Sequence, residues 1–260
     1  MNNSILIKIE NQVAYITFNR PDVFNSFDRE MALLLQATLD DCEKNSKVRS
    51  IVLNGKGKAF CAGQDLKEVT TPELNPGFNK ILEEHYNPII TRIREIKKPV
   101  IAAVNGVAAG AGANIALACD IVIADERASF IQAFSLIGLV PDSAGTYFLP
   151  RLIGFQKASA LMMLGDKVGA EEAERIGMIY KCFSLVDFNS EVNKIALKLS
   201  KMPTKALGLI KQTLNQSLTN NLEEQLALES KNQIVAAQTE DYSEGVEAFI
   251  QKRKPNFKGK

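Results

Sequence analysis

Polar and apolar positions alternate in two short runs near the start of the chain. ILIKIE (residues 5–10) and VAYITF (residues 13–18) are rich in β-branched and aromatic residues. They flank the polar pair Asn11 and Gln12. Two such runs around a two-residue polar connection are typical of a β-hairpin, which we predict here.

The apolar period then changes from two to that of a helix. After Asp28 the apolar residues recur three or four positions apart, which predicts an amphipathic helix with Ser26 as its candidate N-cap. The apolar positions of this helix are Met31, Leu34, Leu35, Leu39 and Cys42.

Apolar runs with strand and helix character alternate through the middle of the chain. In order, they predict a strand SIVLNG (50–55), a helix at 79–96, a strand VIAAVNG (100–106), a helix GANIALACD (112–120) and a strand DIVIA (120–124). This is a ββα alternation, in which helices cover a sheet of buried strands. Ligand sites are expected where such strands end and the helices begin.

The pattern becomes helical after about Gly165, and strand signals nearly vanish. Helices are predicted at 170–176, 189–201, 204–217 and 222–237. A helical C-terminal portion with amphipathic faces usually packs on its own core or on a neighbouring subunit.

Composition excludes several classes of protein. The 260 residues carry 31 basic and 30 acidic side chains, so there is no broad electrostatic surface for nucleic acid. No apolar stretch is long enough to span a membrane, and MNNSILIKIE lacks the features of a signal peptide. The four cysteines are widely spaced, which favours reduced thiols and disfavours a zinc site. We expect a soluble, cytoplasmic protein.

Two glycine-containing loops are candidates for binding chemistry. KAFCAGQDL (58–66) and NGVAAGAGANIALACD (105–120) each follow a predicted strand, and neither has the pattern of a phosphate loop. A helix that begins after Gly110 and Gly112 presents free backbone N–H groups, which suit an oxyanion. Close packing of a helix made of small residues is the alternative interpretation.

GLVPDSAGT (138–146) contains a carboxylate directly after a proline. Pro-Asp is common turn chemistry, so Asp142 is either a turn residue or a catalytic base. The local sequence alone favours the turn.

The chain resembles the crotonase, or enoyl-CoA hydratase and isomerase, superfamily. The resemblance rests on NRPDVFNSF, FCAGQDL, KPVIAAVNGVAAGAGANIALACDIVIADERASF, GLVPDSAGT and EGVEAFIQKRKPNFKG, which occur in the family's order over nearly the whole chain. It implies an α/β spiral of repeated ββα units at 1–200, which binds coenzyme A and carries the active site. It also implies a C-terminal helical trimerisation region at 201–260, which covers the active site. Homotrimers or dimers of trimers, an acyl-CoA substrate and no cofactor or metal are implied as well.

The resemblance also implies roles for residues of the two glycine-containing loops. The backbone N–H groups of Gln64 and Ala111 would polarise the thioester carbonyl. The pantetheine of coenzyme A would run between the loops, past Ala62 and the run of residues Gln64, Asp65, Leu66 and Lys67. Because only the Gln64 N–H would act, we expect Gln64→Ala to change turnover little.

The chain departs from the family pattern at two positions. Hydratases of the family use two glutamates, and Asn114 and Phe134 occupy those positions here. Asparagine cannot act as a base and phenylalanine offers no polar group, so hydration by the usual route is disfavoured. Asp142 is then the remaining candidate base. We expect Phe134, Leu139 and Val140 to desolvate it and raise its pKa.

A lone aspartate in a PDxxGT loop resembles one subgroup of the family. Its members convert ring-1,2-epoxyphenylacetyl-CoA to an oxepin-CoA in phenylacetate degradation, and are also associated with shifting a double bond between β,γ and α,β positions. Two alternatives stay open, namely a hydratase or hydrolase with an unexpected base and a non-catalytic acyl-CoA-binding subunit. An Asp142 side chain that faces solvent, away from the two amides, would favour the non-catalytic binding subunit.

Four further features of the sequence receive an interpretation. His85, the only histidine, is interpreted as a surface or core-edge side chain. Cys61 is interpreted as a packed small hydrophobe, with a nucleophile as the alternative. Asp65 is interpreted as a residue that closes its loop, with contact to the adenine region of coenzyme A as the alternative. The basic tail at 252–260 is interpreted as solvated charge, with contact to the phosphates of coenzyme A as the alternative.

Overall fold

The computed structural model describes residues 4–260, so the first three residues of the N-terminal segment discussed above lie outside the described part. Ten strands lie within that range. They are β1 (Ile5–Glu10), β2 (Val13–Phe18), β3 (Ser50–Gly55), β4 (Ala59–Cys61), β5 (Val100–Val104), β6 (Val107–Ala109), β7 (Ile121–Asp125), β8 (Ser129–Ile131), β9 (Lys167–Gly169) and β10 (Lys181–Phe183).

The strands form two sheets, and from β3 to β8 successive strands alternate between them. One sheet has the order β1-β2-β3-β5-β7-β10 and the other β4-β6-β8-β9. All neighbours are parallel except the β1/β2 hairpin and the β8/β9 pair. The pairs β3/β4, β5/β6 and β7/β8 therefore each add one strand to both sheets, as expected of a spiral of ββα units.

Twelve α-helices of the described residues follow or cover these strands. They are α1 (Arg29–Lys44), α2 (Leu66–Thr70), α3 (Phe78–Lys80), α4 (Asn87–Glu95), α5 (Ala111–Leu117), α6 (Gly145–Ile153), α7 (Phe155–Leu164), α8 (Ala170–Arg175), α9 (Phe188–Ser200), α10 (Thr204–Ser217), α11 (Leu222–Ala237) and α12 (Glu240–Ile250). The predicted bounds of α10 and α11 match the structure.

The turns between the two sheets are sharp, and glycine makes them possible. A Cβ atom on Gly55 would lie 2.1 Å from the carbonyl oxygen of Ala59, and one on Gly106 would lie 2.2 Å from that of Lys58. No side chain fits at such distances. Each glycine allows the chain to leave one sheet and enter the other within a few residues.

The central strands of the large sheet, β3, β5 and β7, are buried on both faces. Ile51 and Leu53 of β3 point into the main core with α1 and α4, whereas Val52 points into a smaller cluster beneath α9. This explains why β3, β5 and β7 read as continuous apolar runs rather than alternating ones.

The start of α1 corrects one prediction. Asp28, not Ser26, is the N-cap, because its carboxylate accepts a hydrogen bond from the backbone N–H of Met31 at 2.9 Å. The Ser26 carbonyl oxygen instead accepts a hydrogen bond from Arg20.

The helix predicted at 79–96 is not one regular helix. Between α3 and α4 the chain forms a π-helical segment over Ile81–Tyr86. The carbonyl oxygens of Glu84 and His85 accept hydrogen bonds from the Gln36 side chain at 2.7 and 3.2 Å. The extra residue in the turn brings both His85 and Tyr86 into the interior, where they are 1% exposed.

The C-terminal part contains features that the sequence did not predict. The strands β9 and β10 have three residues each, too few for a periodic signal. The last residues are also held, since Arg49 donates to the carbonyl of Phe257 and Asp241 accepts from the N–H groups of Lys258 and Gly259. The backbone of the tail is thus anchored, while its lysine side chains are exposed, as expected of solvated charge. No helix in the described part is long and apolar enough to span a membrane.

Candidate active site

The two glycine-containing loops predicted from the sequence meet in space. A Cβ atom on Gly63 would lie 3.4 Å from the backbone nitrogen of Ala111, and one on Gly112 only 2.2 Å from the carbonyl oxygen of Cys61. The loop after β4 and the start of α5 are therefore in direct contact. The close packing of a small-residue helix, offered above as an alternative to an oxyanion site, is thus present at the start of α5.

The backbone N–H groups of Gln64 and Ala111 are both available to a ligand. The N–H of Phe27 donates to Gly63, and the carbonyl of Phe27 accepts from Asp65, so the N–H of Gln64 between them points away from Phe27. Ala111 is the first residue of α5, where an N–H has no partner within the helix. Within residues 4–260, no hydrogen bond engages either N–H.

Asp142 lies in a strained turn. The two residues after it, Ser143 and Ala144, have φ angles of 50° and 58°, in the left-handed region that non-glycine residues rarely adopt. The backbone carbonyl oxygen of Asp142 stabilises the turn. It accepts hydrogen bonds from Gly145 N–H at 2.9 Å and from Asn114 Nδ2 at 2.8 Å. Strain of this kind is common at functional sites.

The carboxylate of Asp142 is partly desolvated. Burial raises its pKa, and the hydrogen bond that Ser143 Oγ donates to Oδ1 at 2.8 Å acts in the opposite direction. The pKa of the Tyr86 hydroxyl is raised well above its usual value, first by burial and further by Cys61 and by Asp142. Tyr86 also bonds Gln64. The charge of Asp142 thus acts on the same hydroxyl that bonds Gln64, and the carboxylate is partly buried rather than fully exposed to solvent.

Asn114 contacts the Asp142 turn, and Phe134 contacts the residue before α5. The Asn114 amide is used internally, because it donates to the Asp142 carbonyl and accepts from Gln132 Nε2 at 2.8 Å. A Cβ atom on Gly145 would come within 2.3 Å of it, so the amide fills the space behind the turn. Phe134 is 6% exposed, and its ring lies 3.7 Å from the Cβ position of Gly110, the residue before Ala111.

The expected contribution of Leu139 and Val140 needs correction. These side chains are 37% and 78% exposed, so they contribute little to the burial of Asp142 in the single chain. They follow a 3-10 turn at Ser135–Ile137, after which the chain runs along the surface.

The residues predicted to contact coenzyme A differ in their availability. The Asp65 carboxylate accepts from Lys67 N–H at 2.9 Å and pairs with Arg20 Nη2 at 2.7 Å, which agrees with its interpretation as the residue that closes the loop. Leu66 and Lys67 are exposed beside it, and Ala62 is partly exposed.

The interpretation of Cys61 agrees with the structure, and so does that of His85 as a core-edge side chain outside any triad, whereas its surface alternative is wrong. Cys61 is fully buried, and burial raises the pKa of its thiol to about 12. His85 is also buried, not at the surface, and burial lowers its pKa. Its Nε2 lies 3.0 Å from Arg29 Nη1, which makes it an acceptor from the guanidinium and not a member of a triad. No group of three potential metal ligands occurs in the described residues.

Two buried residues of the site were missed from the sequence. Tyr86 donates to Gln64 Oε1 at 3.0 Å, and Glu68 accepts from Gln64 Nε2 at 2.6 Å. The spacing of Asp65 and Glu68 is the signal that could have indicated Glu68, since acidic side chains are common in the first turn of a helix. Nothing in the sequence indicated Tyr86, because the direction of its side chain depends on the π-helical segment.

Comparison with known proteins agrees with this architecture. The family model described as enoyl-CoA hydratase/isomerase matches residues 8–260. The chain is 44% identical over 262 residues to a 1,2-epoxyphenylacetyl-CoA isomerase of Escherichia coli (strain K12), and the match covers 100% of both chains. It is 34% identical to a trans-2-decenoyl-acyl-carrier-protein isomerase of Streptococcus mutans serotype c (strain ATCC 700610 / UA159), with 98% of each chain covered.

A solved structure gives the same result for the fold. The crystal structure of an enoyl-CoA hydratase/isomerase from Cupriavidus metallidurans CH34 matches with a TM-score of 0.91 at 32% identity, covering 100% of this chain and 97% of that one. The two-sheet spiral with its C-terminal helices is therefore the crotonase fold. The chain is an enzyme that belongs to the enoyl-CoA hydratase/isomerase family.

Proposed function

We propose that this enzyme is an acyl-CoA isomerase that uses Asp142 as its single base and the N–H groups of Gln64 and Ala111 as an oxyanion hole. The observation that carries the proposal is the partly desolvated carboxylate of Asp142 in a site where Asn114 and Phe134 offer no second base. One carboxylate is enough to move a proton within one substrate.

The proton shift can be written for a β,γ-enoyl thioester. Asp142 takes a proton from C2, and the electron pair of the C–H bond moves into an enolate whose negative charge lies on the thioester oxygen. The Gln64 and Ala111 N–H groups donate to that oxygen. Asp142 then returns the proton to C4 as the electrons move back, so the double bond lies between C2 and C3. No atom is gained or lost.

The acyl group is the finer part of the proposal. The likeness to the Escherichia coli isomerase supports a 1,2-epoxyphenylacetyl-CoA substrate, which would be converted to an oxepin-CoA as part of phenylacetate degradation. The likeness to the Streptococcus mutans isomerase supports a shift of the double bond instead. Both reactions would use the same base and oxyanion hole.

Asp142→Asn tests the role of the base. The amide is nearly isosteric but cannot accept the proton, so we expect kcat for isomerisation to fall at least about 100-fold while acyl-CoA still binds. Product analysis by chromatography and mass spectrometry, with epoxyphenylacetyl-CoA and a β,γ-enoyl-CoA, measures both reactions. The control is Asp166→Asn, which removes the charge of an exposed loop residue. Retention of most activity in Asp142→Asn would reduce Asp142 to a turn residue.

The same assays separate the two alternatives. A hydratase with another base would add water to crotonyl-CoA at a rate comparable with isomerisation, whereas we expect this hydration to be negligible. A non-catalytic binding subunit would bind acyl-CoA and convert none of these substrates. The partial burial of Asp142, which raises its pKa, supports the isomerase over the binder.

The proposed assembly and surroundings of the enzyme follow from the same family membership. We propose a homotrimer or a dimer of trimers that binds acyl-CoA, needs no cofactor or metal and acts in the cytoplasm without nucleic acid. Exposed apolar side chains on the late helices support self-association, for example Ile210 and Leu214 at 54% and 61% exposure.

A further inference from the structure

The side chain of Gln64 is held at both ends by buried groups. Its Oε1 lies 3.0 Å from the hydroxyl of Tyr86 and its Nε2 lies 2.6 Å from Oε2 of Glu68. Tyr86 is 1% exposed and Glu68 is 8% exposed. The second oxygen of Glu68 accepts the backbone N–H of Arg29 at 2.8 Å. A buried relay therefore links α1, α2 and the π-helical segment through one amide.

The direction of each bond in this relay is fixed by chemistry. A carboxylate only accepts, so the group of Gln64 that faces Glu68 must be the NH₂. Its carbonyl oxygen then faces Tyr86, whose hydroxyl must donate. The amide has one orientation that satisfies both neighbours, and the side chain cannot rotate without leaving a buried polar group unpaired.

The backbone of the same residue carries the N–H assigned above to the oxyanion hole. On one side, Gly63 and Asp65 bond the backbone of Phe27 at 2.7 and 2.8 Å. On the other, the relay holds the side chain. Tyr86 is itself aimed by the π-helical turn and by its ring contact with Phe27 at 6.2 Å between centroids.

We infer that Tyr86 is a positioning residue for catalysis, which acts through the side chain of Gln64 to fix the direction of the Gln64 N–H. The inference rests on the proposed function, because it concerns the same oxyanion hole. It also revises one expectation from the sequence. Gln64→Ala should not be neutral, because it deletes the amide that joins Tyr86 to Glu68.

Tyr86→Phe removes the hydroxyl and keeps the ring. The test uses crotonyl-CoA labelled with ¹³C at the thioester carbon, and difference infrared spectroscopy reports how far binding lowers the carbonyl stretching frequency. The variants are also assayed for kcat of isomerisation, for affinity toward crotonyl-CoA and for Tm. Tyr15→Phe is the matched control, since Tyr15 packs against the smaller cluster beneath α9.

In Tyr86→Phe, we expect binding to lower the carbonyl stretching frequency by at most about half as much as in the wild-type enzyme, and kcat to fall about 10-fold. The affinity for crotonyl-CoA should change less than about threefold. Gln64→Ala should show the same losses, and the double variant should lose little more, because both changes break one relay. A role in stability alone would lower Tm and leave the carbonyl frequency of the folded variant unchanged.

Three results would overturn the inference. The full lowering of the carbonyl frequency in Tyr86→Phe would overturn it, as would equal losses in Tyr15→Phe or fully additive losses in the double variant. These results leave the proposed function standing. Absence of any lowering in the wild-type enzyme would instead refute the proposed oxyanion hole, and this inference with it.

Discussion

Gly112→Ala should separate the geometry of the oxyanion hole from the stability of the fold. Gly112 is the second residue of α5, directly after Ala111. An added Cβ would lie 2.2 Å from the carbonyl oxygen of Cys61 and 2.7 Å from its Sγ. Ordinary van der Waals contact begins at 3.4 Å, so α5 and β4 would have to separate by about 1.2 Å, the difference between 3.4 and 2.2 Å.

That movement would shift the Ala111 N–H relative to the Gln64 N–H on the other loop. A misplacement of about 1 Å can cost about 100-fold in rate, and we expect a loss of that order in kcat. The effect on stability is smaller, because overpacking costs about 1–3 kcal/mol while alanine in place of glycine returns up to about 1 kcal/mol of helix propensity.

The assay is kcat for isomerisation beside the midpoint of thermal unfolding. Gly169→Ala is the control, because φ at Gly169 is −73° and no atom lies within 4 Å of the added Cβ. A Gly112→Ala enzyme with kcat within about twofold of wild type would refute the argument that contact between β4 and α5 sets the distance between the two donors.

Three further predictions concern the base, the donor and the assembly. Ser143→Ala removes the hydrogen bond that lowers the pKa of Asp142, so the pKa should rise further and the acid limb of kcat/KM should move to higher pH. An unchanged pH profile would exclude Asp142 as the titrating base. Gln64→Pro deletes the donor itself and should cost about 100-fold or more in kcat, whereas a loss no larger than that of Gln64→Ala would show that the side chain alone matters. Light scattering should give three or six times 28.6 kDa, and a clean monomer at micromolar concentration would contradict the proposed trimer.

The parts of the fold predicted from the sequence are those with strong local periodicity. The buried strands β3, β5 and β7 were recognised because β-branched residues run without interruption, and α10 and α11 because two or more turns share an apolar face. The strands β9 and β10 were missed because three residues carry no period. Asp28 and Ser26 are both good N-caps, and only the contact with Met31 distinguishes them.

The parts of the site that could be predicted are those in which the reactive group and its local motif are adjacent in the sequence. The carboxylate after Pro141 and the glycines near Ala111 can be read locally, and the family resemblance brought them together. The relay could not be read in this way, because Tyr86 and Gln64 are 22 residues apart and meet only through a π-helical turn. The burial of His85 was missed for the same reason, since a regular helix would have turned the two residues to different faces.

The anchored tail has a consequence for the order in which the protein folds. Arg49 and Phe257 are separated by 208 residues, so the bond between them closes almost the whole chain into a loop. Contacts at such separation form slowly, because the entropy of closing the loop must be lost before the contact is gained. On the ribosome, the Arg49 side chain cannot make this hydrogen bond until residue 257 has emerged. The spiral core can assemble turn by turn during synthesis, whereas the Arg49–Phe257 contact can form only after nearly all of the chain has been made.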